Sequence, residues 1–436
     1  MVISRKAPGP RGKWLVGDMD AYLASRIGWL QATQKQYGDI VRLGPDTLVV
    51  HDPELAHEVL ARTNDTYLLE TRQLAGRRQR ATAQARLDKW MAVRQGMWHG
   101  FASRLMEAHL AHLMAEAGLL LDLYAGDDKD LADRCRATTG RLIVDFCIGG
   151  DPKHAALCEE AAVRADLLFT SAQAALIQKE TRRRFRRRPL ASAASAANAE
   201  LLDFLRDSVV ERRSRRYSGA PRDLLDLLLH ASEADDTDDL IVSVLRMAMF
   251  ASHGVPGAAL SWIVLRLASE PTSFRAVRAE AEACPVDGML SLERLPLTTA
   301  FVKETLRLHP PQWLLTRTAI RRTTVGAYRI RAGQEVLVSP YLIHRDGRFW
   351  PRPERFEPER WMGNQMPYPR HTYIPFGAGP RICPGSRLAM AHMVILTARL
   401  AADYVPRVPH VEDLNVTCDG LLLPANVQGG WTHRAP

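Results

Sequence analysis

Cysteine is scarce. Six occur in 436 residues, Cys135, Cys147, Cys158, Cys284, Cys383 and Cys418, and none sits in a C-x-x-C pair. That excludes a zinc ribbon, a thioredoxin-like redox pair and c-type haem attachment, and so few do not make a disulfide framework. A reducing cytosol is the simpler compartment. Lysine is also scarce for so basic a chain: eight of 58 basic side chains are Lys and fifty are Arg. Gly (28) and Pro (26) are too few for a fibrous chain, and a hydrophobic content of 46% is too high for intrinsic disorder. The first thirty residues contain no uninterrupted apolar run, so neither a signal peptide nor an N-terminal membrane anchor is expected. No internal repeat and no Gly/Ser linker is visible, which points to one domain over residues 1–436. The net charge of +9 permits nucleic acid, an anionic membrane or an acidic protein as partner and does not choose among them.

What is present is mainly helical with a small β portion. Residues 37–60 read as strand, turn, strand and helix, with Asp52 as N-cap and Pro53 at the first helical position. From about 88 to 280, apolar residues recur at three- and four-residue spacing, a helical pattern. The uncharged stretch from Met247 to Leu265 approaches a membrane span in length, but Ser252, His253, Gly254, Pro256 and Gly257 interrupt it. A buried central helix is the expectation. In the last third, a helix ends at Pro310-Pro311, short strands surround a turn at Gly333, and a final helix starts near Ser386.

The sharpest local feature is PFGAGPRICPGSRLAMAH, residues 375–392. Cys383 lies in a turn-rich loop just before a helix. Gly377, Gly379 and Gly385 permit tight turns and close approach to a flat ligand. A thiolate there has a helix N-terminus and Arg381 nearby, and both favour the anion. The loop resembles the haem signature of the cytochrome P-450 family, F-x-x-G-x-R-x-C-x-G, at Phe376, Gly379, Arg381, Cys383 and Gly385.

The resemblance implies the P-450 fold and a haem b whose iron takes Cys383 as axial thiolate, a ligand that favours O–O cleavage. Arg381 would pair with a propionate. Other motifs follow in the family's order. Trp90 and Arg94 match its W-x-x-x-R helix and would also meet a propionate, as would Arg317, seven residues after Pro310. Glu304 and Arg307 match its E-x-x-R helix, and Arg355 would complete a structural lock with them. Met247, Phe250, Ala251, Trp313, Leu314 and Leu315 would line a substrate pocket.

One departure matters. Where the family's central helix carries A-G-x-[DE]-T, whose acid and alcohol help deliver protons, this chain reads FASHGVPGAALSW. Aligned on Ala251 and Trp262, Gly254 replaces the acid and Val255 the threonine. Ser252 and His253 remain as polar candidates, and Pro256 predicts a kink. Protons would come through water on backbone groups freed at Pro256, or through a polar group of the substrate. A peroxide-driven or otherwise atypical reaction is an alternative.

The resemblance thus implies a monooxygenase that oxidises a hydrophobic small molecule, terpenoid or polyketide-like, in bacterial secondary metabolism. It would use O2 and electrons from ferredoxin and ferredoxin reductase. A cytoplasmic monomer with no membrane anchor and no nucleic-acid partner is expected. A non-catalytic haem sensor or carrier is the rival. The run RRRFRRRP at 182–189 is either solvated or meets nucleic acid, a membrane surface or an anionic substrate, and the cluster Arg72, Arg77, Arg78, Arg80 and Arg86 is either solvated or meets a carboxylate or phosphate. Lys89, Arg94 and Arg387 suit an acidic redox partner.

Overall fold

The computed structural model describes residues 6–11, 18–68, 88, 91–98, 101, 104–126, 128–150, 155–180, 187–215, 217–231, 238–284, 293–363, 368–409, 411 and 415–434. The chain divides into two compact units, each assembled from distant segments.

The first unit takes residues 1–90, 306–357 and 363–383. Its β1 (Ile40–Gly44) and β2 (Thr47–Val50) form the expected hairpin, with Val41 opposite Val49. β2 is buried along its whole length because it is flanked on both sides. The five-stranded sheet runs β1-β2-β7-β4-β3, with β3 at Tyr67–Leu68, β4 at Leu315–Ala319 and β7 at Glu335–Val338. Only β2 and β7 pair in parallel. Gly333 is a turn with φ +85°, but the strands on either side of it are not partners. β6 (Tyr328–Ile330) pairs with β5 (Thr323–Val325), while β7 joins the large sheet. Helix Pro53–Ala61 packs Ala56, Val59 and Leu60 onto this sheet. Its N-terminus is capped as the sequence predicts: the Asp52 carboxylate accepts the Leu55 N–H at 2.8 Å.

The second unit takes residues 91–305, 358–362 and 384–436 and is helical. Its axis is helix Asp238–Ser269, which packs against helices Leu131–Ile148, Ala155–Glu180 and Arg187–Ser214. This helix alone among the described residues is long and apolar enough to cross a membrane, and it is mostly buried within the protein. Trp262 is fully inside, its indole N–H donating to the Leu422 carbonyl at 2.9 Å. The last helix, Ser386–Asp403, begins where expected.

Candidate functional site

The cysteine loop is shaped by backbone. The Cys383 N–H donates to the Phe376 carbonyl at 2.9 Å, and Gly377 N–H to Ile374 at 3.0 Å. Gly377 and Gly379 have φ of +73° and +71°, the left-handed region. A Cβ on Gly379 would collide with the Leu60 carbonyl. Glycine therefore lets the loop rest on the C-terminal end of helix Pro53–Ala61. Gly385 is the N-cap of the last helix, and Cys383 stands three residues before its start, half-buried.

Two cations accompany the loop in the same unit. Arg317, on β4, is only 3% exposed. Its Nε donates to Thr63 Oγ1 at 2.8 Å and its Nη1 to the Thr316 carbonyl at 2.9 Å. Burial, and then the charge of Arg381, pull its pKa down to about 10. Among the described residues no carboxylate counters that charge. Arg381 in turn donates from Nε to Asn64 Oδ1 at 2.9 Å. A desolvated guanidinium whose charged neighbour is another guanidinium calls for an anionic ligand. The two carboxylates of a haem fit that donor set.

Helix Pro296–Leu308 carries Glu304 and Arg307 one turn apart, both fully buried. Arg307 saturates three carbonyls, those of His344, Pro353 and Arg355, at 2.8, 2.7 and 3.0 Å. The Glu304 carboxylate accepts from Arg360 Nε at 3.0 Å and Trp361 Nε1 at 2.9 Å. This corrects the expected lock. Arg355 supplies a backbone carbonyl while its side chain is exposed, and Arg360 supplies the guanidinium. The cause is a near-repeat: Pro-Glu-Arg-aromatic occurs at 353–356 and again at 358–361. The second copy folds into the 3-10 turn Pro358–Trp361, which brings both donors to Glu304.

His344 extends the network. Its Nδ1–H donates to the Arg307 carbonyl at 3.1 Å and its Nε2 accepts the Ile374 N–H at 2.9 Å. Only a neutral ring satisfies both bonds. Burial, then Arg307, hold its pKa near about 3, and burial takes His51 and His392 to about 4. An unfolded histidine takes up a proton near pH ~6.5, so these rings add stability above that pH and lose it as pH falls towards their folded values. Urea midpoints are expected to be flat above neutrality and to fall steadily below pH ~6.5. A profile unchanged down to pH ~4 would contradict this.

The central helix runs unbroken through Pro256, so the expected kink does not interrupt it. Proline has no N–H, so the Ser252 carbonyl lacks its helical donor. At about 100° per residue, Met247, Ala251, Ser252, Val255 and Pro256 fall on one side of the helix, each half-buried or exposed, around the fully buried Ala248. His253 and Gly254 lie on the other face, buried. His253 Nε2 is 3.0 Å from Asp166 Oδ1, and Gly140 on helix Leu131–Ile148 leaves room for the ring. Burial opposes ionisation of Asp166, but hydrogen bonds from His253 and Arg136 hold its pKa down to about 2. Gly254 faces the Phe169 ring, where a Cβ would clash. Of the four candidate oxygen-side residues, Ser252 and Val255 are therefore on the open face, and His253 and Gly254 are turned into the helical core.

The sequence profile of the cytochrome P-450 family matches residues 7–427. The chain belongs to the cytochrome P-450 family. Membership implies a haem held by a cysteine thiolate. This P-450 is 34% identical over 219 residues to a probable (S)-N-methylcoclaurine 3'-hydroxylase of Coptis japonica, 48% of this chain and 44% of that protein. It is 31% identical over 209 residues to cyclooctatin synthase of Streptomyces melanosporofaciens, 46% of this chain and 45% of that one. The matches thus span less than half the length of these curated relatives. In fold it superposes on the haem domain of cytochrome P450DA with a TM-score of 0.77 at 18% identity, covering 100% of this chain and 99% of that one. A retinoic-acid-bound cyanobacterial P-450 gives 0.75 at 19% identity, covering 98% and 99%.

The other expected residues of this P-450 are placed as follows. Arg94 is half-buried, its guanidinium 5.8 Å from the Trp98 ring centre. Trp90, Lys89, the Arg72–Arg86 cluster and most of the RRRFRRRP run lie outside the described residues. Trp313 is buried in its unit, its carbonyl accepting from Ser339 Oγ at 2.9 Å, and Leu314 and Leu315 stay half-open. Phe250 is half-buried, 6.1 Å from the Phe169 ring. Sequence reasoning missed Arg360, Trp361, His344, Thr63 and Asn64. The second Pro-Glu-Arg-aromatic copy was a usable signal for the first two; the others act through tertiary contacts that no motif marks.

Proposed function

We propose that this chain, residues 1–436, is a single haem-b monooxygenase domain that oxidises a hydrophobic small molecule with O2. The observation that carries the reading is the glycine-turned Cys383 loop accompanied by the buried Arg317, whose charge no carboxylate counters among the described residues, with Arg381 beside it. Cys383 would hold the haem iron. Arg317, Arg381, Arg94 and Trp90 would hold its propionates. Phe376, Gly377 and Gly385 shape the loop. When bound, the haem supplies oxygen activation: one oxygen atom enters the substrate, the other leaves as water, and two electrons and two protons are consumed.

The chain's own part is to position and to supply protons. Met247, Ala251 and Val255 form an apolar stripe suited to a hydrophobic substrate, with Phe250, Trp313, Leu314 and Leu315 as further lining. Ser252 offers a hydroxyl and a carbonyl without its helical donor, and together they suit a water that relays protons. Similarity to cyclooctatin synthase of Streptomyces melanosporofaciens supports bacterial secondary metabolism, and the apolar stripe suits a terpenoid or polyketide-like substrate. The basic charge suits an acidic ferredoxin, itself reduced by ferredoxin reductase. We read the protein as a cytoplasmic monomer.

One observation favours a second reading, peroxide-driven oxidation: neither an acid nor a threonine stands on the open face. Purified protein is to be assayed with ferredoxin, reductase and NAD(P)H, and separately with hydrogen peroxide. Product in the first assay is expected. Product with peroxide alone overturns the ferredoxin reading, and a haem-loaded protein inactive in both is a carrier or sensor.

A further inference from the structure

Two adjacent residues, Thr63 and Asn64, hold the two arginines described above. They follow Arg62, the C-cap of helix Pro53–Ala61. Thr63 Oγ1 donates its own proton to the Leu60 carbonyl at 2.7 Å. Its lone pairs are thereby aimed outward, and one accepts the Arg317 Nε–H at 2.8 Å. Asn64 has φ +77°, in the left-handed region that asparagine tolerates better than most side chains. Its N–H is bound to the Tyr67 carbonyl at 2.7 Å. That backbone conformation presents Oδ1 to the Arg381 Nε–H at 2.9 Å. Each guanidinium is thus gripped by its inner nitrogen, which sets the direction of its outer edge. The loop that carries Arg381 rests on the same helix end, because Gly379 meets Leu60 there.

We propose that Thr63 and Asn64 are positioning residues, which set Arg317 and Arg381 as a matched pair for the two carboxylates of haem. The proposal rests on the haem reading above. Neither residue touches the ligand; both act through the guanidinium they hold. The electrostatic argument is direct. Arg317 is deprived of water and Arg381 is half-buried, so the two cations repel, and without fixed acceptors they would rotate apart towards solvent. Neutral oxygens, unlike carboxylates, orient the pair without cancelling the charge that the ligand needs.

The test is haem release from holoprotein to excess apomyoglobin, followed beside thermal unfolding. A lost hydrogen bond to a charged group corresponds to a release about tenfold faster. Asn64→Gly keeps the left-handed turn and removes only the acceptor, so about that increase is expected. Thr63→Val is expected to behave alike, and Thr63→Ser to restore the parent rate. In an Arg381→Leu background, Asn64→Gly is expected to add nothing. With haem exchanged for its dimethyl ester, whose carboxylates are masked, Asn64→Gly and the parent are expected to release at one rate.

Equal acceleration of haem and ester release by Asn64→Gly would show a merely structural role and overturn the proposal. So would an unchanged rate with haem, or additivity with Arg381→Leu. Failure of the parent protein to hold either haem overturns the haem reading itself, and the proposal with it. The two failures are therefore told apart by the parent protein alone.

Discussion

Cys383→Ala is expected to remove the red-shifted Soret band of the reduced, CO-bound protein completely, together with all product formation. The shift reports a thiolate opposite CO, and alanine offers no ligand. The loop itself should persist, because its closing bond runs from the backbone N–H of residue 383 to the Phe376 carbonyl and its turns belong to Gly377 and Gly379. The control is Cys418→Ala, which is expected to leave the band intact. Cys418 is also half-buried, but it lies beyond the last helix rather than at its entrance. A red-shifted band that survives in Cys383→Ala would place the iron on another thiol and sink the assignment.

The second large effect falls on stability. Glu304→Gln is expected to destabilise the protein by about 3–5 kcal/mol, the range for breaking a buried ion pair on one side. Glu304 is fully buried and takes two donors, Arg360 and Trp361. Glutamine can accept from at most one of the two donors and removes the negative charge that meets Arg360, whose side chain is 8% exposed. Arg360→Ala is expected to cost comparably. Arg355→Ala is expected to stay within about 0.5 kcal/mol, because only its carbonyl is used. Urea unfolding of the three variants checks this directly. A large loss at Arg355 with none at Arg360 would put the Arg355 side chain, not that of Arg360, on Glu304.

The contrast between those two arginines shows how far the sequence was legible. Local chemistry was readable: the Asp52 cap, the hairpin before it, the glycines around Cys383 and the start of the last helix all follow from residue types over a few positions. The choice between two copies of one short motif was not, because it depends on which copy reaches Glu304 across more than fifty residues of chain. The same holds for the central helix. Its existence follows from apolar composition, yet which side of it is buried depends on Gly140 and Phe169, residues on other helices. Thr63 and Asn64 sit in an ordinary-looking turn, and their significance appears only when Arg317 and Arg381 arrive from far along the chain.

The packing around Gly254 sets a boundary on how this protein can be re-engineered or can drift. A hydroxyl returned at Val255 would stand on the open face, so the alcohol is recoverable by one substitution. A carboxylate returned at Gly254 would be driven into Phe169. Recovering the acid therefore requires the Phe169 ring to move aside or to give way to a smaller residue.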